Sequence, residues 1–322
     1  MNELISVIMS VFNENSNELI KAIESILNQT YRNIEFIIIL DNPENNVAKK
    51  LLNEYSLKDK RIKIIINSTN LGLAKSLNKG IQVANGKFIA RMDADDISLN
   101  NRLELQLRYL KKNDLDLVSG NCYYIDEADN IIGKKSDIPT DFNIIAKLLP
   151  YGSSIIHPSV IIKTSVINEL KGYREFEVAQ DYDMWLRMIS AGYKIGSINE
   201  YIIYYRLRKK SLSYKNKYKQ FLITKYQLYL FKQRKRNQVD EFSISNLTQF
   251  LKDKNYFNKQ SNERFLKAYE KFDLSFNKIN SKQYIKAIRY ILEAYIGHKG
   301  MRQIINRSIR YSILKKYYII IT

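Results

Sequence analysis

Wholly apolar runs and amphipathic runs alternate along the N-terminal part of the chain, up to about residue 212. Short runs such as Ile34 to Leu40, which is apolar apart from Glu35, are typical of strands that are buried on both faces. Between them, apolar residues recur three and four positions apart, as from Asn17 to Leu27, which indicates helices with one buried face. The order β-α-β-α-β-α-β predicts an α/β, Rossmann-like fold with a mostly parallel sheet and helices on both faces.

Capping residues and helix breakers set the expected limits of several elements. Ser16 and Ser98 are suitable N-caps for the helices predicted to follow them. Residues 123–152 contain two glycines and two prolines, and we expect them to be irregular. The run from Ser154 to Lys163 is strand-like, and Gln180 to Ser190 is predicted to be a helix. Two strands are expected after it, near 194–198 and 201–207.

Beyond this part the periodicity becomes helical throughout, which predicts a helical C-terminal region. The expected helices lie near 214–236, 243–253, 260–272, 282–296 and 301–317. We therefore predict two domains, residues 1–212 and residues 213–322, with the second domain built from helices alone.

Charge is distributed unevenly between these two parts. Residues 1–200 carry 24 Lys and Arg against 26 Asp and Glu, a net charge of −2, whereas residues 201–322 carry 28 against 7, a net charge of +21. Such an excess indicates binding to a polyanion, an anionic membrane surface or an anionic substrate. A nucleic-acid-binding protein is the alternative function that the basic region suggests, but it leaves the first two hundred residues unexplained.

Composition also indicates a compartment. Hydrophobic residues make up 45% of the chain, enough for a sizeable core. Cys122 is the only cysteine, so an intrachain disulfide is excluded and a reducing environment is expected. No apolar run approaches the ~18 residues that a spanning helix needs, and no signal peptide is evident. We expect a cytoplasmic protein, with peripheral contact at the inner face of the cell membrane if the basic region docks there.

Three carboxylates follow the apolar run Phe88-Ile89-Ala90 within four residues: Asp93, Asp95 and Asp96. In open α/β sheets, ligands bind beyond the carboxyl ends of the strands. Crowded carboxylates repel one another, and hard oxygen ligands at this spacing suit Mg²⁺ or Mn²⁺, especially when a substrate phosphate supplies further ligands. The alternative is an acidic loop that caps the helix expected after Ser98.

Other enzyme classes lack their motifs. Residues 6–16 contain no glycine, so no glycine-rich phosphate loop follows the first strand. The chain has no GxxxxGK[ST] motif, and no GxGxxG follows the first strand, which argues against a P-loop enzyme and a dehydrogenase. With only two histidines, no histidine-based zinc cluster or triad can be built.

Five separated stretches form an ordered set: Ser6 to Asn13, Ser25 to Tyr31 with Asp41 after it, Asn70 to Ile81, Asp93-Ala94-Asp95, and Gln180 to Trp185. In order and spacing they resemble family 2 glycosyltransferases of the bacterial surface-polysaccharide type, which have the GT-A fold. Each stretch is weak alone, whereas the ordered set is specific and covers roughly residues 4–212. The resemblance implies that the first domain is catalytic and binds a nucleotide sugar.

By this resemblance, the loop after the first strand holds the nucleotide base. Phe12, between Ser10 and Asn13, stands where an aromatic ring stacks on uracil, a contact that contributes about 1–3 kcal/mol; core packing is the alternative. Asp41 stands where the family reads the base, and Asn42 replaces the family's second Asp. An amide still accepts from uracil N3–H and donates to O4, so uracil stays compatible. A simple turn is the alternative for this pair.

The resemblance also places Asp93, Ala94 and Asp95 at the donor diphosphate. Asp95, assisted by Asp93, would hold Mg²⁺ or Mn²⁺, which neutralises charge as the nucleotide leaves. Asp96 is expected to be a cap or a partner of these residues rather than a ligand.

Asp181 matches the family's catalytic base and lies at the start of a predicted helix. Its carboxylate would take the proton of the acceptor hydroxyl as that oxygen attacks the anomeric carbon, in a single displacement that inverts the configuration. The alternative is an acid favoured by the helix dipole. Asp183 usually lies off the reaction axis in the family.

Four further residues are candidates for contacts with the diphosphate or the acceptor: Arg208, Gln180, Trp185 and His157. Arg208 occupies the histidine position of the family's Tyr-Arg-x-His segment, so a third protein ligand for the metal is doubtful. Arg208, Lys209 or Lys210 would instead grip the diphosphate; a solvated basic run is the alternative. Trp185 is either core or a sugar-facing platform, and His157 either lines the site or is structural.

The predicted function is therefore an inverting, metal-dependent glycosyltransferase. It would move a sugar from a UDP-linked donor to a hydroxyl of a glycan or of a lipid-linked saccharide, with no nucleic acid as partner. The helix predicted at 301–317 is basic and amphipathic. Its apolar face comprises Met301, Ile304, Ile305, Ile309, Ile313 and Leu314. Such a helix can lie in a membrane interface; the alternative is packing on the catalytic domain or on a second subunit.

Overall fold

The structure is a computed structural model. It describes residues 3–135, 138–208, 216–254, 256 and 258–321. Residues 319–321 are described without their side chains. The predicted domain boundary at residue 212 and the diphosphate contacts predicted for Lys209 and Lys210 lie outside the described residues. They stay predictions.

The chain forms two compact units. The first comprises residues 1–147 and 153–209, and the second comprises residues 148–152 and 210–322. Each unit has its own buried core, and each is described by itself below.

The first unit contains one sheet, in which the described residues form nine strands. The strands are β1 Ile5–Val11, β2 Ile34–Leu40, β3 Ile62–Ile66, β4 Phe88–Asp93, β5 Ile97–Ser98, β6 Leu117–Ile125, β7 Ile131–Lys135, β8 Ile161–Lys163 and β9 Ile195–Arg206. Their order is β3-β2-β1-β4-β8-β6-β9-β5, and β7 lies beside β6. The helices of this unit are α1 Ser16–Leu27, α2 Asn46–Lys58, α3 Leu73–Gln82, α4 Arg102–Lys112, α5 Phe142–Leu148, α6 Thr164–Glu169 and α7 Gln180–Ser190.

The parallel half of the sheet is the part that the alternating pattern predicts. Strands β3, β2, β1 and β4 are parallel neighbours, each joined to the next along the chain by a helix. Beyond β4 the sheet is mixed: β8 is antiparallel to both β4 and β6, whereas β9 is parallel to β6 and antiparallel to β5. Strands as short as β5 and β8 have too few residues for a periodicity that would reveal them.

Two predicted helix caps were wrong. Helix α1 already includes Ser16, and its N-cap is Asn15, whose side chain accepts a hydrogen bond from Asn17 N–H at 2.8 Å. Ser98 lies in β5, where it pairs with Ile203 of β9, and is 2% exposed. Tertiary pairing with β9 therefore overrides the local capping preference of Ser98, and helix α4 begins later in the chain.

Three other segments differ from the expected pattern. The strand-like run from Ser154 to Lys163 contains a 3₁₀ helix, His157–Ser159, before β8. The segment predicted to be irregular contains both β7 and α5. Two strands expected near 194–198 and 201–207 are one strand, β9.

The second unit is helical, as predicted. Its described helices are α8 Lys217–Asn237, α9 Ile244–Asp253, α10 Lys259–Asn280, α11 Tyr284–Gly297 and α12 Lys299–Ile321. An aromatic cluster forms its centre: the ring of Phe265, which is 0% exposed, lies 4.9 Å from that of Tyr218 and 5.3 Å from that of His298. The short segment 148–152 belongs to this unit, where Arg310 of α12 lies 5.5 Å from the ring of Tyr151.

Helix α12 does not present its predicted apolar face as one exposed surface. Met301 is 0% exposed and Ile305 is 3% exposed, so the first part of that face packs within the second unit. Ile309 and Ile313 are 52% and 61% exposed. The membrane-docking face predicted for this helix is therefore divided between core and surface, because tertiary packing uses its first two turns. Among the described residues, no helix is long and apolar enough to cross a membrane.

Candidate active site

Three neighbouring strands bring the candidate nucleotide-binding residues together. Ser10 of β1 pairs with Ile39 of β2 on one side and with Asp93 of β4 on the other. Because these strands are parallel, the loops that follow them lie at the same edge of the sheet. The candidate residues at this edge are Phe12, Asn13, Asp41, Asn42, Asp93, Ala94 and Asp95.

The loop after β1 is fixed through its backbone and leaves the ring of Phe12 partly accessible. Phe12 N–H donates to Glu14 Oε2 at 2.6 Å, and Phe12 O accepts from Asn45 Nδ2 at 3.0 Å. The side chain of Phe12 is 37% exposed rather than packed in the core. Asn42 Nδ2 donates to Asn13 Oδ1 at 2.6 Å, which ties this loop to the loop after β2.

Asp41 fixes the loop that leads into α3. Its Oδ1 accepts from Asn67 Nδ2 at 2.7 Å and from Leu71 N–H at 2.8 Å, and its Oδ2 accepts from Gly72 N–H at 2.9 Å. The residue is 3% exposed. Both carboxylate oxygens thus hold this loop, and the contact of Asp41 with a base stays a prediction.

The carboxylates of Asp93 and Asp95 lie partly exposed after β4, with side-chain exposures of 31% and 27%. Asp93 Oδ1 accepts from Arg91 Nη2, and Asp95 Oδ2 accepts from Arg208 Nε at 3.1 Å. Burial and then the neighbouring Asp93 charge raise the pKa of Asp95. Burial also raises the pKa of Glu14, with smaller contributions from the same two carboxylates. The site therefore concentrates negative charge, which favours a bound cation.

Asp96 holds β9 against this loop. It is 1% exposed, and its Oδ1 accepts from Arg206 N–H at 2.8 Å. Its Oδ2 has no hydrogen-bond partner in the described part of the chain. Burial first, and then Asp93 and Asp95, raise the pKa of Asp96 well above its usual value. Because Asp96 is buried and bonds to the backbone of β9, its environment fits the expected role of a partner that supports the neighbouring carboxylates.

Arg206 and Arg208 lie two residues apart at the end of β9. They connect this strand to the loop after β4 and to the first turn of α1. Arg206 Nε donates to Asp95 O at 2.8 Å. Arg208 Nη2 donates to Glu18 Oε2 at 2.5 Å, in addition to its bond with Asp95. Glu18 also accepts from Asn15 N–H at 3.3 Å and completes the capping box of α1.

The donor set fits a hard divalent cation only if the substrate contributes ligands. No group of three His, Cys, Asp or Glu side chains in the described ranges is arranged to hold a metal ion. Asp93 and Asp95 would provide the protein ligands, and phosphate and water oxygens would supply the rest, as Mg²⁺ and Mn²⁺ accept.

Asp181 reaches the same site from the first turn of α7. The residue before this helix, Ala179, is left-handed with φ 57°, so the chain turns sharply just ahead of the carboxylate. Burial raises the pKa of Asp181; its own N–H, that of Tyr182 and the charge of Arg91 oppose this, and Asp93 adds to it. The carboxylate is therefore within electrostatic range of Arg91 and Asp93.

Asp183 has a structural environment instead. It is 0% exposed, and its Oδ2 accepts from Arg187 Nε at 2.8 Å. Arg187 Nη2 in turn donates to Gly172 O at 2.8 Å. This ion pair anchors the loop before α7, consistent with a position off the reaction axis.

His157 and Trp185 belong to a buried aromatic cluster. His157 Nε2 lies 2.9 Å from Tyr173 Oη, and its ring centroid lies 6.0 Å from that of Trp185. Burial, and then the charge of Arg91, hold the pKa of His157 well below its usual value. Trp185 is 1% exposed and Gln180 is 6% exposed. The structure thus favours the core interpretation of Trp185 over a sugar-facing platform.

Arg91 is the residue of this site that the sequence reasoning missed. It lies in β4, is 2% exposed, pairs with Asp93 and lines a small cavity with Ile8 and Tyr173. Its Nε has no hydrogen-bond partner among the described residues. The one signal in the sequence was a charged residue inside an otherwise apolar strand, since such a residue is seldom buried without a partner.

The chain belongs to glycosyl transferase family 2, whose family model matches residues 6–171. This confirms the resemblance stated above. The GT-A fold with a helical C-terminal region is also confirmed: TarS residues 1–349 of Staphylococcus aureus, solved in complex with UDP, align over 98% of this chain and 90% of theirs. The TM-score is 0.57 at 14% sequence identity, so this likeness concerns the fold alone.

Two relatives from Escherichia coli are similar to this chain over most of their own length. The O-antigen biosynthesis glycosyltransferase WbnJ is 36% identical over 212 residues, which span 65% of this chain and 82% of WbnJ. The UDP-Glc:alpha-D-GlcNAc-diphosphoundecaprenol beta-1,3-glucosyltransferase WfgD is 32% identical over 220 residues, which span 67% of this chain and 82% of WfgD. Both relatives are thus glycosyltransferases, as the family model indicates for this chain.

Proposed function

We propose that this protein is an inverting glycosyltransferase that moves a sugar from a UDP-linked donor to a hydroxyl of a glycan or lipid-linked saccharide. One observation carries the proposal. Asp181 stands in the first turn of α7, where the charges of Arg91 and Asp93 act on its pKa, whereas Asp183, two residues away, is tied to Arg187. Asp181 would then act as a single base, which fits one displacement rather than two.

Asp181 acts as the general base. Its carboxylate accepts the proton of the acceptor hydroxyl while that oxygen forms a bond to the anomeric carbon and the bond to the diphosphate breaks. Partial burial raises the pKa of Asp181 and makes it a stronger base than an exposed aspartate. The backbone N–H groups of Tyr182 and Asp181, and then the charge of Arg91, oppose this shift and favour the anionic form.

The diphosphate binds between Asp95 and the end of β9. Arg208 is already anchored by Asp95 and Glu18, and its guanidinium is suited to paired contacts with phosphate oxygens. Asp93 and Asp95 would hold Mg²⁺ or Mn²⁺, which when bound supplies Lewis-acid stabilisation of the leaving diphosphate. Phe12 offers its exposed ring to the base.

The name of WfgD supports the substrate classes proposed here, since it specifies a UDP-linked glucose donor and a diphosphoundecaprenol-linked acceptor for that protein. A lipid-linked acceptor would place the reaction in the cytoplasm at the inner face of the cell membrane.

The test is a donor screen with purified protein and Mn²⁺, in which release of UDP from a panel of UDP-sugars is measured with and without saccharide acceptors. We expect acceptor-dependent release that Asp181→Asn abolishes. NMR of the product gives the anomeric configuration. Retention of the donor configuration would contradict the single-displacement mechanism.

A further inference from the structure

Helix α11 of the second unit is apolar on two opposite faces. Ala287 and Ala294, seven residues apart, are 2% and 0% exposed and define the packed face. The opposite face carries four aliphatic side chains, which we call the α11 stripe: Ile285, Ile288, Leu292 and Ile296. They are 87%, 58%, 54% and 76% exposed.

The spacing of the stripe makes it one continuous surface. Its members are three, four and four residues apart, so they lie on one side of the helix over about 16 Å of its length. Single exposed aliphatic residues are ordinary on protein surfaces, whereas a contiguous row of them marks an interaction site. The helix needs none of the four for its packing within the unit.

Positive charge surrounds the α11 stripe. Lys282, Lys286, Arg289 and Lys299 are all exposed on or beside the helix. Glu293 is the only acid in α11, and it is neutralised by Arg289 at 2.8 Å and Lys271 at 3.2 Å. Over residues 201–322, Lys and Arg outnumber Asp and Glu by 28 to 7.

We propose that the α11 stripe docks the protein onto an anionic lipid surface, with the helix parallel to the membrane plane. Aliphatic side chains enter the acyl boundary while the flanking Lys and Arg meet anionic headgroups, as in interfacial amphipathic helices. A second copy of this chain fits the surface less well, because two basic faces would be brought together. Nucleic acid fits less well too, since isoleucine and leucine neither stack on bases nor bond to phosphates.

This docking surface replaces the face predicted on α12, whose first two turns are buried. This inference rests on the proposed function in one respect only, namely which leaflet of the membrane the surface would meet. The test uses no sugar nucleotide, so its failure would leave the glycosyl-transfer proposal intact, and failure of that proposal would leave the docking surface intact.

The experiment is flotation of the full chain with phosphatidylglycerol-containing vesicles and with pure phosphatidylcholine vesicles. We expect the wild type to float with the anionic vesicles, and the fourfold variant Ile285→Ser, Ile288→Ser, Leu292→Ser, Ile296→Ser to lose at least about tenfold in bound fraction. The matched control replaces four exposed aliphatic residues of the first unit. These are Val47, Leu57, Ile131 and Ile132, which are 65%, 87%, 58% and 56% exposed.

Flotation of the control variant together with loss of flotation in the stripe variant supports the proposal. Equal flotation of the stripe variant, or a wild type that stays with the unbound protein at low salt, overturns it. A wild-type dimer in light scattering that the stripe variant converts to a monomer, without any vesicle binding, assigns the surface to self-association instead. The single variants Ile285→Ser and Ile296→Ser, each scored against a circular dichroism melt, keep the test decisive if the fourfold variant unfolds.

Discussion

Arg208 donates from Nε to Asp95 Oδ2 at 3.1 Å, so a fixed cation already contacts the carboxylate expected to bind a metal. The same guanidinium is held from its other side by Glu18. The Tyr-Arg-x-His segment that this chain resembles has a histidine at this position. Here an arginine occupies the position and contacts the acidic loop after β4, at the proposed diphosphate site.

Arg208→Gln should weaken UDP binding by about 10–100-fold, because a hydrogen bond to a charged group contributes about 1.5–3 kcal/mol. Uridine lacks the diphosphate, so its affinity should not change. Isothermal titration of both ligands with wild type, Arg208→Gln and Arg208→Lys measures this, and Lys should restore part of the affinity. Equal loss for uridine and UDP would mean that Arg208 acts through the fold of the loop.

Asp181→Asn should reduce turnover by about 10²–10⁴ while UDP affinity stays unchanged, because an amide cannot accept the acceptor proton. Turnover is measured as acceptor-dependent UDP release at saturating donor. Full activity of the variant would refute the base assignment.

Asp183→Asn is the matched substitution two residues away, and its expected effect is on stability. Asp183 is 0% exposed and pairs with Arg187, so the substitution leaves a buried guanidinium without its anion. Removing one partner of a buried pair costs about 3–5 kcal/mol. Urea unfolding followed by the fluorescence of Trp185, the only tryptophan, measures the free energy of unfolding of this unit. An unchanged midpoint would show that the ion pair is not a structural anchor.

Asp95→Ala should abolish the part of UDP binding that depends on divalent cation. The site offers two partly exposed carboxylates and no third acidic or histidine ligand in the described ranges, so loss of one removes half of the protein donors. UDP affinity is compared in Mn²⁺ and in EDTA, and the two values should coincide for the variant only. Wild-type binding that is equally strong in EDTA would contradict metal dependence.

The free energy of unfolding should decrease at acidic pH, and part of this decrease should depend on His157. Burial and Arg91 hold its folded-state pKa well below the unfolded value of 6.5. Below that unfolded pKa the unfolded chain binds a proton that the folded chain does not. The free energy of unfolding therefore decreases as pH falls through about 6.5, by up to ~1.4 kcal/mol per pH unit until the folded-state pKa is reached.

Trp185 lies next to His157 and reports this transition. Urea midpoints at pH 7.5 and about 5.5 should differ for the wild type and for His298→Gln, whose histidine belongs to the other unit, but not for His157→Gln. The same pH difference in all three proteins would assign the effect to carboxylates.

Local periodicity and spacing were enough for the α/β half of the fold. The apolar runs of β1, β2 and β4 and the helical spacing of α1, α3 and α7 are readable within ten or so residues, because each buries its own apolar face. The carboxylates after β4 and Asp181 were also identified from sequence, since the ordered motifs indicate the family. Their roles in this chain stay predictions.

The tertiary structure decided what sequence neighbours could not. Glu18 meets Arg208 across 190 residues of chain, Ser98 becomes part of a strand through β9, and Arg91 is buried beside Asp93. Tertiary packing also pairs Asp183 with Arg187. It buries the first part of the apolar face of α12 and leaves a row of aliphatic side chains exposed on α11. The physical reason is common to all of these: the contacts form between segments far apart in the chain, and their free energies depend on burial and charge that exist only after the sheet and the helical unit have assembled.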